Sequence, residues 1–169
     1  TFTLELAPGQ CAVIELPDGM DASRPSEKAE DLALNKPVYV STSAAIFWQK
    51  SNIASYFLTD GTPDNGCWIT AREDREGWAK LDLMEVCDVS RIVISMNSQL
   101  GKAQRLRDFT VLVSEDGVSF TEVGKYDGYD WGDGVSSLEI TFDTAKVRYV
   151  LIRTDTKRPM GIGEIEVYG

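Results

Sequence analysis

Histidine is missing from the whole chain of 169 residues. Its absence excludes a Ser-His-Asp or Cys-His nucleophilic centre and the His-rich kind of catalytic metal site. Cysteine is scarce, at Cys11, Cys67 and Cys87. No two stand close enough for a CxxC motif, and an odd count in a short chain gives no disulfide framework. Mostly buried, unreactive thiols are expected. Long apolar runs are also absent. No stretch approaches the roughly 20 residues of a membrane-spanning helix, so no membrane insertion is expected. Basic residues are outnumbered, 17 Lys and Arg against 27 Asp and Glu, for a formal net charge of −10. That balance argues against a nucleic-acid partner, which needs a basic stripe, and against an anionic membrane surface. It suits a neutral partner or a metal cation, and equally keeps an exported protein soluble. The chain opens on Thr1 rather than Met and is read as a processed product or a fragment of a longer polypeptide.

Helix signals are few and strand signals frequent. Hydrophobic residues make up 43%, enough for one ordinary core. Alternating or apolar segments occur at residues 37–41, 79–83, 90–96, 108–114, 122–126, 137–142, 148–154 and 163–168. Turn dipeptides such as Asp60-Gly61, Asp116-Gly117 and Asp133-Gly134 separate many of them. Short strands at this spacing, without helical periods between them, predict an all-β, antiparallel β-sandwich of jelly-roll type. Residues 58–69 read as loop despite Trp68. The first thirty residues differ. Two alternating segments around Pro8-Gly9 predict a β-hairpin over 1–17, which looks like the end of a preceding domain. Residues 18–31 are polar and read as a linker. The main domain is expected over 32–169.

From Leu32 onward, five segments in order carry a resemblance. They are Leu32-Ala33-Leu34-Asn35-Lys36-Pro37; Leu58-Thr59-Asp60-Gly61 followed by Trp68; Trp78-Ala79-Lys80-Leu81-Asp82-Leu83; Arg107-Asp108-Phe109-Thr110-Val111 with Ser114-Glu115-Asp116-Gly117; and Arg148-Tyr149-Val150 with the ending Gly163-Glu164-Ile165-Glu166-Val167-Tyr168-Gly169. Together they resemble the discoidin (coagulation-factor type C) domains. The likeness is strongest to the bacterial branch, the family thirty-two carbohydrate-binding modules with their galactose-binding-like fold. The animal relatives' terminal disulfide has no cysteines here to form it. Trp78, Leu81 and Leu83 are expected to bury, and Arg107 and Arg148 to pack and pair across the sheet.

The resemblance implies two sites. The first is a structural calcium site. Asp60 and Glu164 are expected to meet, with carbonyls at Phe57 and Thr62 and side chains at Asp64 and Asn65 completing the oxygen shell. Calcium takes about 6–8 oxygens. The second is a sugar site in the loops at one end of the sandwich, where an aromatic face and polar side chains meet the ligand. The candidates are Trp48, Asn97, Arg105, Tyr129, Trp131 and Arg158, with Trp131 expected to stand exposed in its loop. The expected ligand is a galactose-type or related terminal sugar.

The leading expectation is therefore a non-catalytic carbohydrate-binding module, with an upstream catalytic domain in the same polypeptide. The parent would be an exported glycan-degrading enzyme, a glycoside hydrolase, placed in the periplasm, on the cell surface or outside a bacterium. The alternative is a structural or protein-interaction domain of the same fold without a sugar site. A glycosidase in its own right would need paired carboxylates. Glu73, Asp74, Glu76, Asp130 and Asp133 lie in predicted loops, but nothing singles out a pair in so acidic a chain.

Overall fold

The computed structural model describes residues 29–43, 54–71, 76–133, 136–154 and 158–169. The hairpin expected over 1–17 and most of the linker lie outside the described residues.

Among the described residues, eight strands follow in chain order: β1 (Val38–Val40), β2 (Trp68–Ile69), β3 (Trp78–Ser95), β4 (Phe109–Ser114), β5 (Thr121–Tyr126), β6 (Ser137–Arg153), β7 (Gly161–Ile162) and β8 (Glu164–Tyr168). They build an antiparallel β-sandwich of galactose-binding-like fold. Its main sheet runs β1-β3-β6-β4-β5, with β8 joined to β3. The sequence suggests two strands between residues 79 and 96 and two between 137 and 154. Each pair is one long strand. No Gly or Pro interrupts Leu83-Met84-Glu85-Val86-Cys87, so β3 continues through a bulge between Asp82 and Cys87. Met84 takes a φ of 70° there, and the Asp82 carboxylate accepts its N–H at 2.8 Å. The first half of β3 pairs with β1 and the end of β6. Its second half pairs with β8 and the start of β6. A strand that bends in this way serves both layers.

The inward residues of both halves meet in one core. Ala79, Leu81 and Leu83 of β3 pack with Ile92 and Ile94 further along, with Val150 and Ile152 of β6, and with Val111 of β4, all essentially inaccessible. Trp78 departs from expectation. It shares the parity of Lys80 and Asp82, so it lies on the outer face of the sheet and is only half-buried. Arg148 behaves as expected, with two donors on the Asp82 carboxylate at 2.9 and 3.1 Å.

Residues 58–69, expected as loop, hold more structure than that. A 3-10 turn spans Ser55–Thr59, and β2 pairs with β7 some ninety residues away. Two-residue strands are too short for an alternation signal. Trp68 is fully buried and donates its indole N–H to the Thr42 carbonyl at 2.8 Å. Among the described residues the domain closes without a disulfide. Asp31 accepts the N–H groups of Ala33 and Val167, and the Leu32 N–H bonds the Val167 carbonyl. Cys67 and Cys87 are free thiols, and burial pushes the Cys67 thiol up to about 11.

Candidate functional site

The Asp60 loop leaves the 3-10 turn with Asp60 as its C-cap. Gly61 follows at φ +90°, a conformation that disfavours side chains. Its N–H donates to Glu164 Oε1 at 3.0 Å, joining the loop to the first residue of β8. Asp60 accepts the Thr62 N–H at 3.1 Å and the Asn65 amide at 3.2 Å. Glu164 is 1% exposed, and its second oxygen, Oε2, is buried with no hydrogen-bond partner. Burial pushes the Glu164 carboxyl up to about 8, against the Gly61 N–H and with the charge of Asp60 adding to the rise. A buried, unsatisfied carboxylate oxygen beside a second carboxyl is what a hard cation would relieve. Asp60 and Glu164 thus meet as expected. Asp64 does not join them. It accepts the Ser98 hydroxyl at 3.0 Å, and among the described residues no three acidic or thiol side chains cluster as a metal-holding group.

Asn97 is corrected in its role. It is buried, and its amide donates to the carbonyls of Pro63 at 2.7 Å and Gly66 at 2.8 Å. It braces the Asp60 loop instead of facing a sugar.

Three loops meet at the sandwich end: the β3–β4, β5–β6 and β6–β7 connections. A cleft of about 240 Å³ lies among Lys102, Arg105, Leu106, Arg107, Tyr129, Asp130, Trp131 and Gly132. A small recess shares Lys102, Arg105, Leu106 and Arg107 with it and adds Arg158, Pro159 and Met160. Four of the expected sugar residues, Arg105, Tyr129, Trp131 and Arg158, therefore come together. Arg105 ties the loops, donating to the Leu100 carbonyl at 3.0 Å and to the Gly132 carbonyl at 2.8 Å. Gly161 allows the close approach of β7, because a Cβ there would meet Leu100 Cδ2 at 2.8 Å and the Gln104 carbonyl at 2.9 Å.

Trp131 is not the exposed ring expected from its loop position. It is 6% exposed and belongs to the core cluster. Its ring stacks on Phe109 at 6.3 Å and meets Tyr129 edge-on at 4.9 Å. Its indole N–H donates to the Leu106 carbonyl. One further ring, Tyr126, backs Phe109 and Tyr129, and a loop folded onto strand aromatics covers its own apolar surface. Trp48 lies outside the described residues. Arg107 was expected to pair across the sheet. It is exposed and lines the cleft instead.

Sequence reasoning passed over a cleft of about 360 Å³ on the outer sheet face, lined by Trp78, Phe120, Leu151, Lys80, Arg153, Glu76 and Thr154. The shared parity of Trp78 and Lys80 was the available signal.

The fold is that of carbohydrate-binding modules and lectins. A family model described as NedA-like, galactose-binding domain, of the coagulation-factor type C group, matches residues 57–152, and the chain belongs to that family. Among solved structures, the lectin domain of lectinolysin complexed with Lewis B antigen is 23% identical. That match covers 82% of this chain and 96% of the other at a TM-score of 0.69. A Streptococcus pneumoniae fucose-binding module, SpX-3, is 20% identical over 83% of this chain and 98% of its own, with a TM-score of 0.69. CpGH89CBM32-5 from Clostridium perfringens, in complex with GalNAc-β-1,3-galactose, is 17% identical over 83% and 100%, with a TM-score of 0.68. No curated protein matches. The domain resembles non-catalytic carbohydrate-binding modules, and no helix of the described residues is long and apolar enough to cross a membrane.

Proposed function

We propose that the chain is a non-catalytic carbohydrate-binding module that holds a terminal, galactose-type sugar in the loop-end cleft. The observation that carries the reading is the convergence of Arg105, Tyr129, Trp131 and Arg158, from three separate loops, on two adjoining recesses. Arginine offers several fixed donors to ring hydroxyls, and the ring edges of Tyr129 and Trp131 supply apolar wall. The sugars named in complex with the neighbours of this fold support the same reading. A shallow site for one sugar buries little area, so the affinity is modest, about 0.1–1 mM or about −5 kcal/mol. The module would act by keeping an exported bacterial glycoside hydrolase on its substrate.

A structural calcium ion belongs to the same proposal. Asp60 and Glu164 would hold it, with loop oxygens of Phe57, Thr62 and Asn65 available nearby in sequence. The ion would neutralise the buried Glu164 oxygen and pin β8 to the Asp60 loop.

One observation favours a protein-interaction domain instead. Trp131 is packed inward, while Tyr39 on the outer sheet face is 54% exposed, its ring 5.9 Å from Nζ of Lys80, which lines the Trp78 cleft. A glycan array probed with the chain decides between them. Weak, calcium-tolerant binding to galactose-terminated glycans is expected. Binding to no glycan on a broad array would replace the sugar reading with the interaction reading.

A further inference from the structure

We propose that the sugar taken by the loop-end cleft carries an anionic substituent, a carboxylate or sulfate, met by Arg107 and Arg158. The inference rests on the carbohydrate reading above and names the class of sugar. Its basis is local charge. The chain as a whole is strongly acidic, at −10, yet four of its 17 basic residues, Lys102, Arg105, Arg107 and Arg158, line two adjoining recesses. The acids there are few and engaged. Asp133, beside the cleft, pairs with Lys102 at 2.9 Å, and Asp130 accepts the Gly132 N–H at 3.1 Å. No other carboxylate lines either recess among the described residues.

The four cations differ in what they already do. Lys102 has Asp133, and Arg105 is held by two backbone carbonyls. Arg107 and Arg158 are exposed and pair with no carboxylate among the described residues. Two guanidinium groups that pair with no carboxylate among the described residues, Arg107 on the cleft and both on the recess adjoining it, repel each other and gather anions. A planar guanidinium matches a carboxylate or sulfate bidentately, whereas a neutral hydroxyl leaves most of that charge uncompensated. The acidic remainder of the surface repels anions elsewhere, so an anionic sugar is directed to this cleft.

The test compares two sugars that differ only at C6. Galactose and galacturonic acid are titrated into the chain by calorimetry or nuclear magnetic resonance at low and high salt, with galactose 6-sulfate and inorganic sulfate as further arms. Galacturonic acid is expected to bind about tenfold more tightly than galactose, one charge-assisted hydrogen bond's worth. High salt should erase that advantage and leave galactose unaffected. The double variant Arg107→Gln, Arg158→Gln should bring the two sugars to equal affinity with an unchanged melting temperature, since both side chains are exposed. Preference for galactose 6-sulfate over galacturonic acid would assign the sulfate as the natural substituent and keep the proposal. Equal binding of galactose and galacturonic acid, insensitive to salt, overturns the anionic inference and leaves the carbohydrate reading standing. Inorganic sulfate binding as tightly as galacturonic acid overturns it as well, since the cleft would then read charge without a sugar. Binding of neither sugar overturns both readings.

Discussion

At the scale of single residues, Glu164 and Trp131 carry the sharpest consequences. Glu164 has a carboxyl raised from its ordinary 4.5 to about 8 by burial. A raised carboxyl pKa means that the folded state binds the proton more tightly than the unfolded chain. Its stabilising contribution is complete below about pH 4.5 and is lost as pH rises toward about 8. In chelator, the melting temperature should fall between pH 5 and pH 8.5, and Glu164→Gln should flatten that slope. A wild-type melting temperature as insensitive to pH as that of the variant would contradict the placement of Glu164. Trp131 packs on Phe109 and Tyr129, which in turn meet Tyr126. Trp131→Ala should therefore cost about 3–5 kcal/mol of stability in a urea melt, and an unchanged midpoint would return Trp131 to the surface. Asp60 and Glu164 were legible as partners in the sequence through the family's motifs. The burial of Trp131 was not. A Trp between Asp130 and Gly132 looks solvent-facing until β4 and β5 bring Phe109 and Tyr126 beneath it.

At the scale of elements, the loops are held by a few polar side chains that bridge distant segments. Asn97 links the start of the β3–β4 loop to Pro63 and Gly66 of the Asp60 loop. Asn97→Ala leaves those carbonyls without their donor, at a cost of about 1–3 kcal/mol. It should also weaken any stabilisation by calcium, measured as the rise in melting temperature on adding the ion. An unchanged calcium response would separate the loop's shape from its metal affinity. Asp31 does comparable work at the chain ends, accepting N–H groups from Ala33 and Val167. Asp31→Ala should speed amide exchange at Val167 before the rest of β8, and equal protection in both proteins would count against the clasp. The six-residue strands β4 and β5 were readable from the sequence because a short apolar or β-branched run next to a turn signal is a local pattern. The fusion of two segments into β3, and again into β6, was not, since bulges leave no mark in residue type. The β2–β7 pair was also hidden. Its two short strands come from segments some ninety residues apart.

At the scale of the whole molecule, overall charge and local charge point in opposite directions. A net charge of −10 suggests a neutral ligand or a cation, and the Asp60–Glu164 pair is where the proposed cation would sit. The cleft among Arg105, Arg107 and Arg158 is basic all the same, and composition alone could not place those three arginines together. The family's fold, matched over residues 57–152, left open which face holds the ligand. The loop-end cleft and the Trp78 cleft share no lining residue. The most direct measurement is a backbone amide chemical-shift titration of the chain with galactose and galacturonic acid. Saturable shifts confined to Lys102–Arg107, Tyr129–Gly132 and Arg158–Met160 are the predicted result. Shifts centred on Trp78, Lys80 and Phe120, or none at sugar concentrations of several millimolar, would contradict the account.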